Sequence, residues 1–123
     1  MTQISLAEEP LIPIKLIESR TVVRSSSPTD VEQIVRQAAR KYGLNEEHFL
    51  RIAMCESTMN PSVVNYDYYE NGHPSGLFQH LSGYYPARAA KAGYSADVFD
   101  AYSNANTTAA MWAEGLSYLC ECQ

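Results

Sequence analysis

Apolar residues recur at helical spacing in the stretch that follows a run of three serines, and the residues at its ends mark a helix. Ser27 as N-cap, Pro28 at the first helical position and Asp30 at the third predict the start. Gly43 predicts the end, because glycine readily adopts the left-handed conformation that closes many helices. The apolar face comprises Val31, Ile34, Val35, Ala38, Ala39 and Tyr42.

A second amphipathic helix is predicted from its N-cap, Asn45, to Glu56, and it carries a carboxylate on its apolar face. At roughly 100° per residue, Glu56 projects between Ile52 and Ala53. Phe49 lies on the same face. The C-terminal end of the helix dipole and partial burial both raise the pKa of such a carboxyl group. We therefore expect Glu56 to hold a proton near neutral pH; the alternative is a frayed helix end with Glu56 in water.

The helical pattern disappears between residues 60 and 82, where Asn-Pro, Asn-Gly and His-Pro-Ser-Gly are turn signals. Residues 65–70 contain three tyrosines and are predicted to form either a short hairpin or an irregular loop wall. This aromatic insert directly follows the helix that carries Glu56.

Helical character returns over residues 84–92, and a single turn is predicted over 95–100. Asn104 or Asn106 is predicted to cap the last helix. The residues of that helix expected to face the core are Ala109, Trp112, Ala113, Leu116 and Leu119. The pattern as a whole predicts a mostly helical domain over residues 27–123, preceded by a tail or linker over residues 1–26.

Length and charge narrow the class of protein. A chain of 123 residues with 46% hydrophobic residues forms one globular domain with a real core. The net charge of −5 and the lack of any Lys/Arg cluster argue against nucleic-acid binding and against docking onto anionic lipid. The chain contains no apolar run of membrane-spanning length and no recognisable signal peptide. If the protein is exported, we expect either that its signal has been removed from this sequence or that its export route is not visible in it.

The first candidate chemistry is acid catalysis on a glycoside. That reaction needs a carboxylic acid that stays protonated beside a groove able to hold sugar rings. Glu56 supplies the acid, and the tyrosines of the insert supply flat faces and hydroxyl groups. Asp67 and Glu70 are candidates for a second carboxylate opposite Glu56, although charged loop residues are more often simply solvated.

The cysteines and histidines allow two other interpretations. Cys55 could act as the nucleophile of a cysteine peptidase, with His73 or His80 as its base, but no cationic neighbour lowers the pKa of this thiol. A metal site drawn from Cys55, His73, His80, Cys120 and Cys122 lacks a standard zinc spacing. Three cysteines fit either one disulfide with a free thiol or three reduced thiols.

Three blocks of sequence resemble the lysozyme-like lytic transglycosylase (SLT-type) domain. They are Cys-Glu-Ser-Thr-Met-Asn-Pro-Ser-Val-Val-Asn at 55–65, Ser-Gly-Leu-Phe-Gln at 75–79 and Asn-Ala-Asn-Thr-Thr-Ala-Ala-Met-Trp at 104–112. The blocks occur in the family's order and at suitable spacing, and together they cover roughly residues 28–122. The match is closest to small bacterial members with Cys immediately before the Glu and a second Cys at the C-terminus.

The resemblance implies a mainly α, lysozyme-like α+β fold with an irregular or small hairpin insert after the active-site helix. It makes Glu56 the single catalytic acid/base, acting on the β-1,4 bond between N-acetylmuramic acid (MurNAc) and N-acetylglucosamine (GlcNAc) of peptidoglycan. The C6 hydroxyl of the muramoyl residue then closes onto C1 and gives a 1,6-anhydro product. No second carboxylate is required for that reaction.

By the same resemblance, seven further residues are expected to line or support the sugar site: Ser57, Gly76, Gln79, His80, Tyr84, Tyr85 and Asn106. The family often has a late Tyr that faces the Glu, for which Tyr102 and Tyr118 are alternatives. The resemblance also implies a disulfide between Cys55 and Cys122, with Cys55–Cys120 as the alternative pairing.

The expected protein is thus an exported or wall-associated, monomeric enzyme on peptidoglycan that needs no metal or other cofactor. Two alternatives remain open. The same fold could act as a muramidase-type hydrolase with help from Asp67 or Glu70, or it could be a non-catalytic wall-binding module. Retention of Glu56 on the apolar face argues against the second.

Overall fold

A computed structural model of the protein describes residues 28–67, 69–117 and 122. The predicted tail over residues 1–26 lies outside the described residues. The described elements are helix α1 (Pro28–Lys41), helix α2 (Glu46–Ser57), strand β1 (Pro74–Ser75), strand β2 (His80–Leu81), helix α3 (Tyr85–Ala92) and helix α4 (Ala101–Ala113). The predicted mainly α fold class with a small hairpin insert is confirmed.

The first two helices begin and end close to the predicted residues. The side-chain oxygen of Asn45 accepts a hydrogen bond from the backbone N–H of His48 at 2.8 Å, which caps α2 as expected. Gly43 has φ of 73° after α1, as its stop signal predicts. Helix α2 ends one residue later than predicted, at Ser57, where Thr58 takes the left-handed conformation. The predicted N-cap Ser27 lies outside the described residues.

The insert contains a two-stranded antiparallel hairpin, further along the chain than expected. Pro74 pairs with Leu81, and Ser75 pairs with His80. The described residues between 65 and 70 form no strand, so the irregular loop wall is the correct alternative there and the hairpin was wrong. The turn between the two strands is Gly-Leu-Phe-Gln, which buries its two central side chains in the core.

Helix α4 corrects the predicted start of the last helix. It begins at Ala101 after Asp100, so the prediction that Asn104 or Asn106 caps it was wrong. Both asparagines lie inside the helix and are buried; the side chain of Asn104 bonds to Phe78 outside the helix, and that of Asn106 bonds to the Tyr102 carbonyl within it. Of the residues expected to face the core, Ala109 is buried, whereas Ala113 is exposed. Trp112 and Leu116 are half-buried, and Leu119 lies outside the described residues.

The main core joins α2 to the Gly-Leu-Phe-Gln turn and to α4. Helix α1 packs against α2 and α4, and α3 packs against α4. Phe49 of α2 stacks on Phe78 of the turn at 4.5 Å between ring centroids and meets Trp112 edge-on at 5.1 Å. The longest described helix has 14 residues, and no described helix has the length and apolar character of a membrane span.

Candidate active site

A pocket of about 380 Å³ opens where the end of α2, the insert and the start of α3 meet. This volume lies within the range of small-molecule sites, roughly 300–1,000 Å³. Ten described residues line it: Cys55, Glu56, Asn65, Tyr69, Pro74, Gln79, Leu81, Tyr84, Arg88 and Cys122. Three of the residues expected in the sugar site are therefore on its wall, namely Glu56, Gln79 and Tyr84.

Glu56 reaches the pocket from the last turn of α2. The buried face of this helix is completed by Ser57 rather than Glu56, which is half-buried at the edge of that face. One carboxylate oxygen, Oε2, accepts a hydrogen bond from the backbone N–H of Cys122 at 3.3 Å. A residue near the C-terminus thus orients the predicted acid. The raised pKa expected for Glu56 stays a prediction.

A disulfide joins Cys55 to Cys122, as the resemblance implies, with the sulfur atoms 2.13 Å apart and the Cα atoms 6.1 Å apart. Because Cys55 is bonded, its interpretation as a peptidase nucleophile was wrong. The metal hypothesis loses two of its five candidate ligands for the same reason. Cys120, the alternative partner, lies outside the described residues.

Neither candidate for a second carboxylate lies on the pocket wall. Asp67 and Glu70 are both exposed in the insert. Glu56 is the only acidic residue among the described residues that line the pocket. The site therefore combines one carboxylate with amide and tyrosine side chains.

Gln79 is held on the pocket wall by its own turn. Its backbone has φ of 56°, and its side-chain Nε2 donates to the carbonyl oxygens of Val63 at 3.1 Å and Gly76 at 3.0 Å. These two bonds use both N–H groups of the amide, which leaves Oε1 as the atom that can accept a hydrogen bond from a ligand.

Tyr84 and Tyr69 supply the aromatic part of the wall. Tyr84 is 43% exposed, and its hydroxyl accepts a hydrogen bond from Asn71 Nδ2 at 2.7 Å. This bond holds the ring in place at the mouth of the pocket. A fixed, exposed aromatic face next to an acid suits a sugar ring, which presents apolar C–H groups on its faces.

Three other predicted site residues, Ser57, Asn106 and Gly76, do not line the pocket. Ser57 donates from Oγ to the Ala53 carbonyl at 3.2 Å inside α2. Asn106 is buried and donates from Nδ2 to the Tyr102 carbonyl at 2.8 Å. Gly76 has φ of 82°, and a Cβ atom there would collide with the Val98 carbonyl, so its glycine serves packing away from the pocket.

Asn104, which was expected only as a helix cap, is the residue that secures the turn. Its Oδ1 accepts from the backbone N–H of Phe78, and its Nδ2 donates to the carbonyl of Val98, each at 2.9 Å. Of the two asparagines, it is Asn104 rather than Asn106 that links α4 to the Gly-Leu-Phe-Gln turn.

His80 and Tyr85 are core residues. His80 is 5% exposed and lies between Thr108 and Arg88, with its ring nitrogens at 2.7 Å and 3.0 Å from them. Burial, with a smaller effect of the Arg88 charge, lowers the pKa of His80 to about 3. Tyr85 is fully buried beside Thr107, and burial raises its pKa to about 12.

Several wall residues were missed by the sequence analysis. Asn65 and Tyr69 stand in stretches that were singled out but were not selected individually. Arg88 carried a usable signal, because it lies four residues after Tyr84 and therefore on the same side of the predicted helix. Tyr102 does not line the pocket and packs against Tyr94 instead, and Tyr118 lies outside the described residues.

The family model of the transglycosylase SLT domain matches residues 33–119, which is more than half of the chain. The chain therefore belongs to this family of lysozyme-like enzymes that degrade peptidoglycan. The match lies within the predicted domain and includes the whole of α2 with Glu56. No curated protein and no solved structure matches the chain.

Proposed function

We propose that the protein is a lytic transglycosylase that cuts the MurNAc–GlcNAc β-1,4 bond of peptidoglycan and leaves a 1,6-anhydro-MurNAc end. The observation that carries this proposal is the position of Glu56. It is the only carboxylate among the described residues of a sugar-sized pocket in a chain of the SLT family.

A single carboxylate is enough for the proposed reaction. Glu56 donates its proton to the glycosidic oxygen as the bond from C1 to that oxygen breaks. The C6 hydroxyl of the same muramoyl residue attacks C1, and the Glu56 carboxylate accepts the hydroxyl proton. The proton balance of Glu56 is restored, and no water is consumed. Hydrolysis with inversion would instead need a second carboxylate roughly 6.5–9.5 Å away to activate water.

The other wall residues fit the task of binding a sugar. Gln79 Oε1 can accept from a sugar hydroxyl or acetamido N–H group, and Tyr69 and Tyr84 offer faces to sugar rings. The Cys122 N–H donates to Oε2 of Glu56 and helps to orient the carboxyl group that we assign to proton transfer. We assign no substrate contact to the buried residues His80, Tyr85 and Asn106.

We also propose that the protein works outside the cytoplasm, in or near the cell wall, and that it acts as a monomer. A disulfide at the edge of the site persists in oxidising compartments, which is where peptidoglycan lies.

The test is digestion of purified peptidoglycan followed by mass spectrometry of the soluble muropeptides. We expect anhydro-muramoyl ends from the wild-type protein and a loss of about 100-fold or more in Glu56→Gln. Glu70→Gln is the matched control, because it makes the same chemical change at an exposed residue away from the pocket. It should digest the wall at the wild-type rate.

Other products would contradict the proposal in different ways. Reducing ends that disappear in Glu56→Gln would show a hydrolase on the same fold. Binding to the wall without any soluble product, in both proteins and on several wall types, would show a binding module. Anhydro products that survive in Glu56→Gln would remove Glu56 from its role as the acid.

A further inference from the structure

We propose that Arg88 binds a carboxylate carried by the muramoyl residue, so that the pocket selects glycan units that bear an anion. This inference rests on the proposed function, because it places peptidoglycan in the same pocket. In this proposal Arg88 determines which glycan unit is bound, whereas Glu56 transfers the proton.

Arg88 shares the pocket wall with Glu56 and is the only cationic residue among the described wall residues. It lies on α3, and the central carbon of its guanidinium group is 5.2 Å from the centroid of the Tyr84 ring. Because Asn71 fixes the Tyr84 hydroxyl, the ring is a stable surface for the guanidinium group. A cation on this wall is notable in a chain with a net charge of −5.

A buried chain of hydrogen bonds fixes the orientation of Arg88. Thr108 donates from Oγ1 to the Asn104 carbonyl at 2.7 Å, so the same oxygen must accept from His80 Nε2–H. His80 Nδ1 therefore carries no proton and accepts from Arg88 Nη1 at 3.0 Å. Since burial keeps His80 neutral near neutral pH, this acceptor is always present for Arg88.

The chemistry of the guanidinium group points to an anion rather than to a neutral sugar. Its planar set of N–H donors matches the two oxygens of a carboxylate, and such charge-assisted pairs are stronger than neutral hydrogen bonds. GlcNAc carries no carboxylate. A muramoyl residue carries one in either of two forms: the lactyl carboxylate when the peptide is absent, or the carboxylates of the peptide stem when it is attached.

The experiment measures binding by titration calorimetry in the full chain with Glu56→Gln, so that no ligand is cut. Three ligands of equal sugar length are compared. Chitotetraose is neutral, a peptide-free GlcNAc–MurNAc tetrasaccharide carries lactyl carboxylates, and the same tetrasaccharide with peptide stems carries stem carboxylates. We expect Arg88→Gln to weaken binding of at least one muramoyl ligand by about 10-fold or more, with chitotetraose changed less than about 2-fold.

Two variants make the result specific to Arg88. Arg88→Lys keeps the charge and a donor for His80 but loses the planar pair of donors, so we expect an intermediate loss. It also carries the test if Arg88→Gln does not fold. Lys91→Gln removes another cation of α3. Lys91 Nζ lies 3.6 Å from Glu114 Oε1 and does not line the pocket, so this variant should leave all three affinities unchanged.

The outcomes separate this inference from the proposed function. A loss confined to the peptide-bearing ligand assigns a stem carboxylate, and a loss confined to the peptide-free ligand assigns the lactyl carboxylate; either supports the proposal. An equal loss of affinity for all three ligands would mean that Arg88 only supports the fold. No loss with any ligand would also overturn the inference. Both of these results would leave the proposed function intact. If no ligand binds even with Arg88 present, both proposals fail.

Discussion

Helices α2 and α4 differ in what their polar residues do. Helix α2 buries one face through Phe49, Ile52 and Ala53 and places Glu56 at the edge of that face, on the wall of the pocket. Helix α4 is buried over most of its length, and five of its eight buried residues are polar. In α2, the polar residue that interrupts the apolar pattern lines the pocket. In α4, the polar residues that interrupt the pattern are buried and help to pack the fold.

The polar residues of α4 are buried without large cost because their side chains are hydrogen-bonded. Ser103 donates to Asp100 at 2.8 Å, and Thr108 donates to the Asn104 carbonyl. Asn104 reaches furthest, since it bonds both to the turn at Phe78 and to the loop at Val98. The two bonds of Asn104 hold the Gly-Leu-Phe-Gln turn against α4 and thereby help to place Gln79 on the pocket wall.

The largest loss of stability that we expect from this contrast is in Asn104→Ala. The substitution leaves the buried N–H of Phe78 and carbonyl of Val98 without their partner, at about 1–3 kcal/mol each, so the free energy of unfolding should fall by roughly 2–6 kcal/mol. Urea unfolding measures this change. Asn60→Ala, at an exposed Asn whose side chain accepts one hydrogen bond from Ser62 N, should cost less than about 1 kcal/mol. Equal losses of stability in the two variants would show that the buried bonds of Asn104 contribute no more than the exposed bond of Asn60.

The same contrast explains which parts of the fold can be predicted from the sequence. The ends of α1, α2 and α3 follow from local signals such as Pro28, Asn45 and Gly93, whose effects depend only on nearby backbone. The start of α4 was missed because Asn104 looks like a cap in the sequence. Its partner Phe78 lies 26 residues earlier in the chain, and its partner Val98 lies in a loop. The local sequence pattern therefore cannot show that Asn104 is buried and hydrogen-bonded.

Part of the candidate site could also be predicted from the sequence. Glu56 stood out by its position on the apolar face, and Gln79 by its motif. Arg88, Asn65 and Tyr69 were missed because a pocket wall is assembled from separate segments whose approach is decided by tertiary packing. The family resemblance placed His80 near the sugar, but neighbouring strand residues point to opposite sides: in β2, Leu81 lines the pocket and His80 is buried in the core.

The disulfide provides the next prediction, because it ties the end of α2 to Cys122. The double variant Cys55→Ser, Cys122→Ser should lose about 2–4 kcal/mol of stability. We also expect it to lose activity at temperatures where it remains folded, since the Cys122 N–H is no longer held at Glu56. Melting temperature and muropeptide release measure the two effects.

Reductant gives the control for this prediction. It should lower the activity of the wild-type protein to that of the double variant and should not affect the double variant. A reduced wild-type protein with full activity would show that Glu56 keeps its orientation without the disulfide. Helix α2 alone would then be sufficient to position the acid.

His80 gives a prediction for the α4 side of the molecule. Its pKa is about 3 in the folded protein and about 6.5 when unfolded, so between these values the unfolded chain binds a proton that the folded protein excludes. The stability contribution is complete above about pH 6.5 and is lost as the pH falls towards 3. We expect roughly 1–2 kcal/mol of loss between pH 6.5 and about pH 5 from this residue.

Urea unfolding at a series of pH values in His80→Gln tests this assignment, because Gln offers a donor and an acceptor but does not titrate in this range. The variant should lose less stability than the wild-type protein as the pH falls. His73→Gln, in which the changed histidine is half-exposed in the insert, should keep the wild-type slope. If His80→Gln keeps the full slope, the acid sensitivity lies elsewhere.

The smallest effect is expected at the start of α2, where a polar residue has only a local role. Asn45→Ala removes the cap on the His48 N–H and should lower stability by about 1 kcal/mol. Asn45→Asp keeps an accepting oxygen at the N-terminus and should restore most of the loss. Because the cap lies at the opposite end of the helix from Glu56, muropeptide release per folded molecule should be unchanged. A fall in that activity would mean that the two ends of α2 are coupled, and the helix would then resemble α4 in using its polar residues to hold the site together.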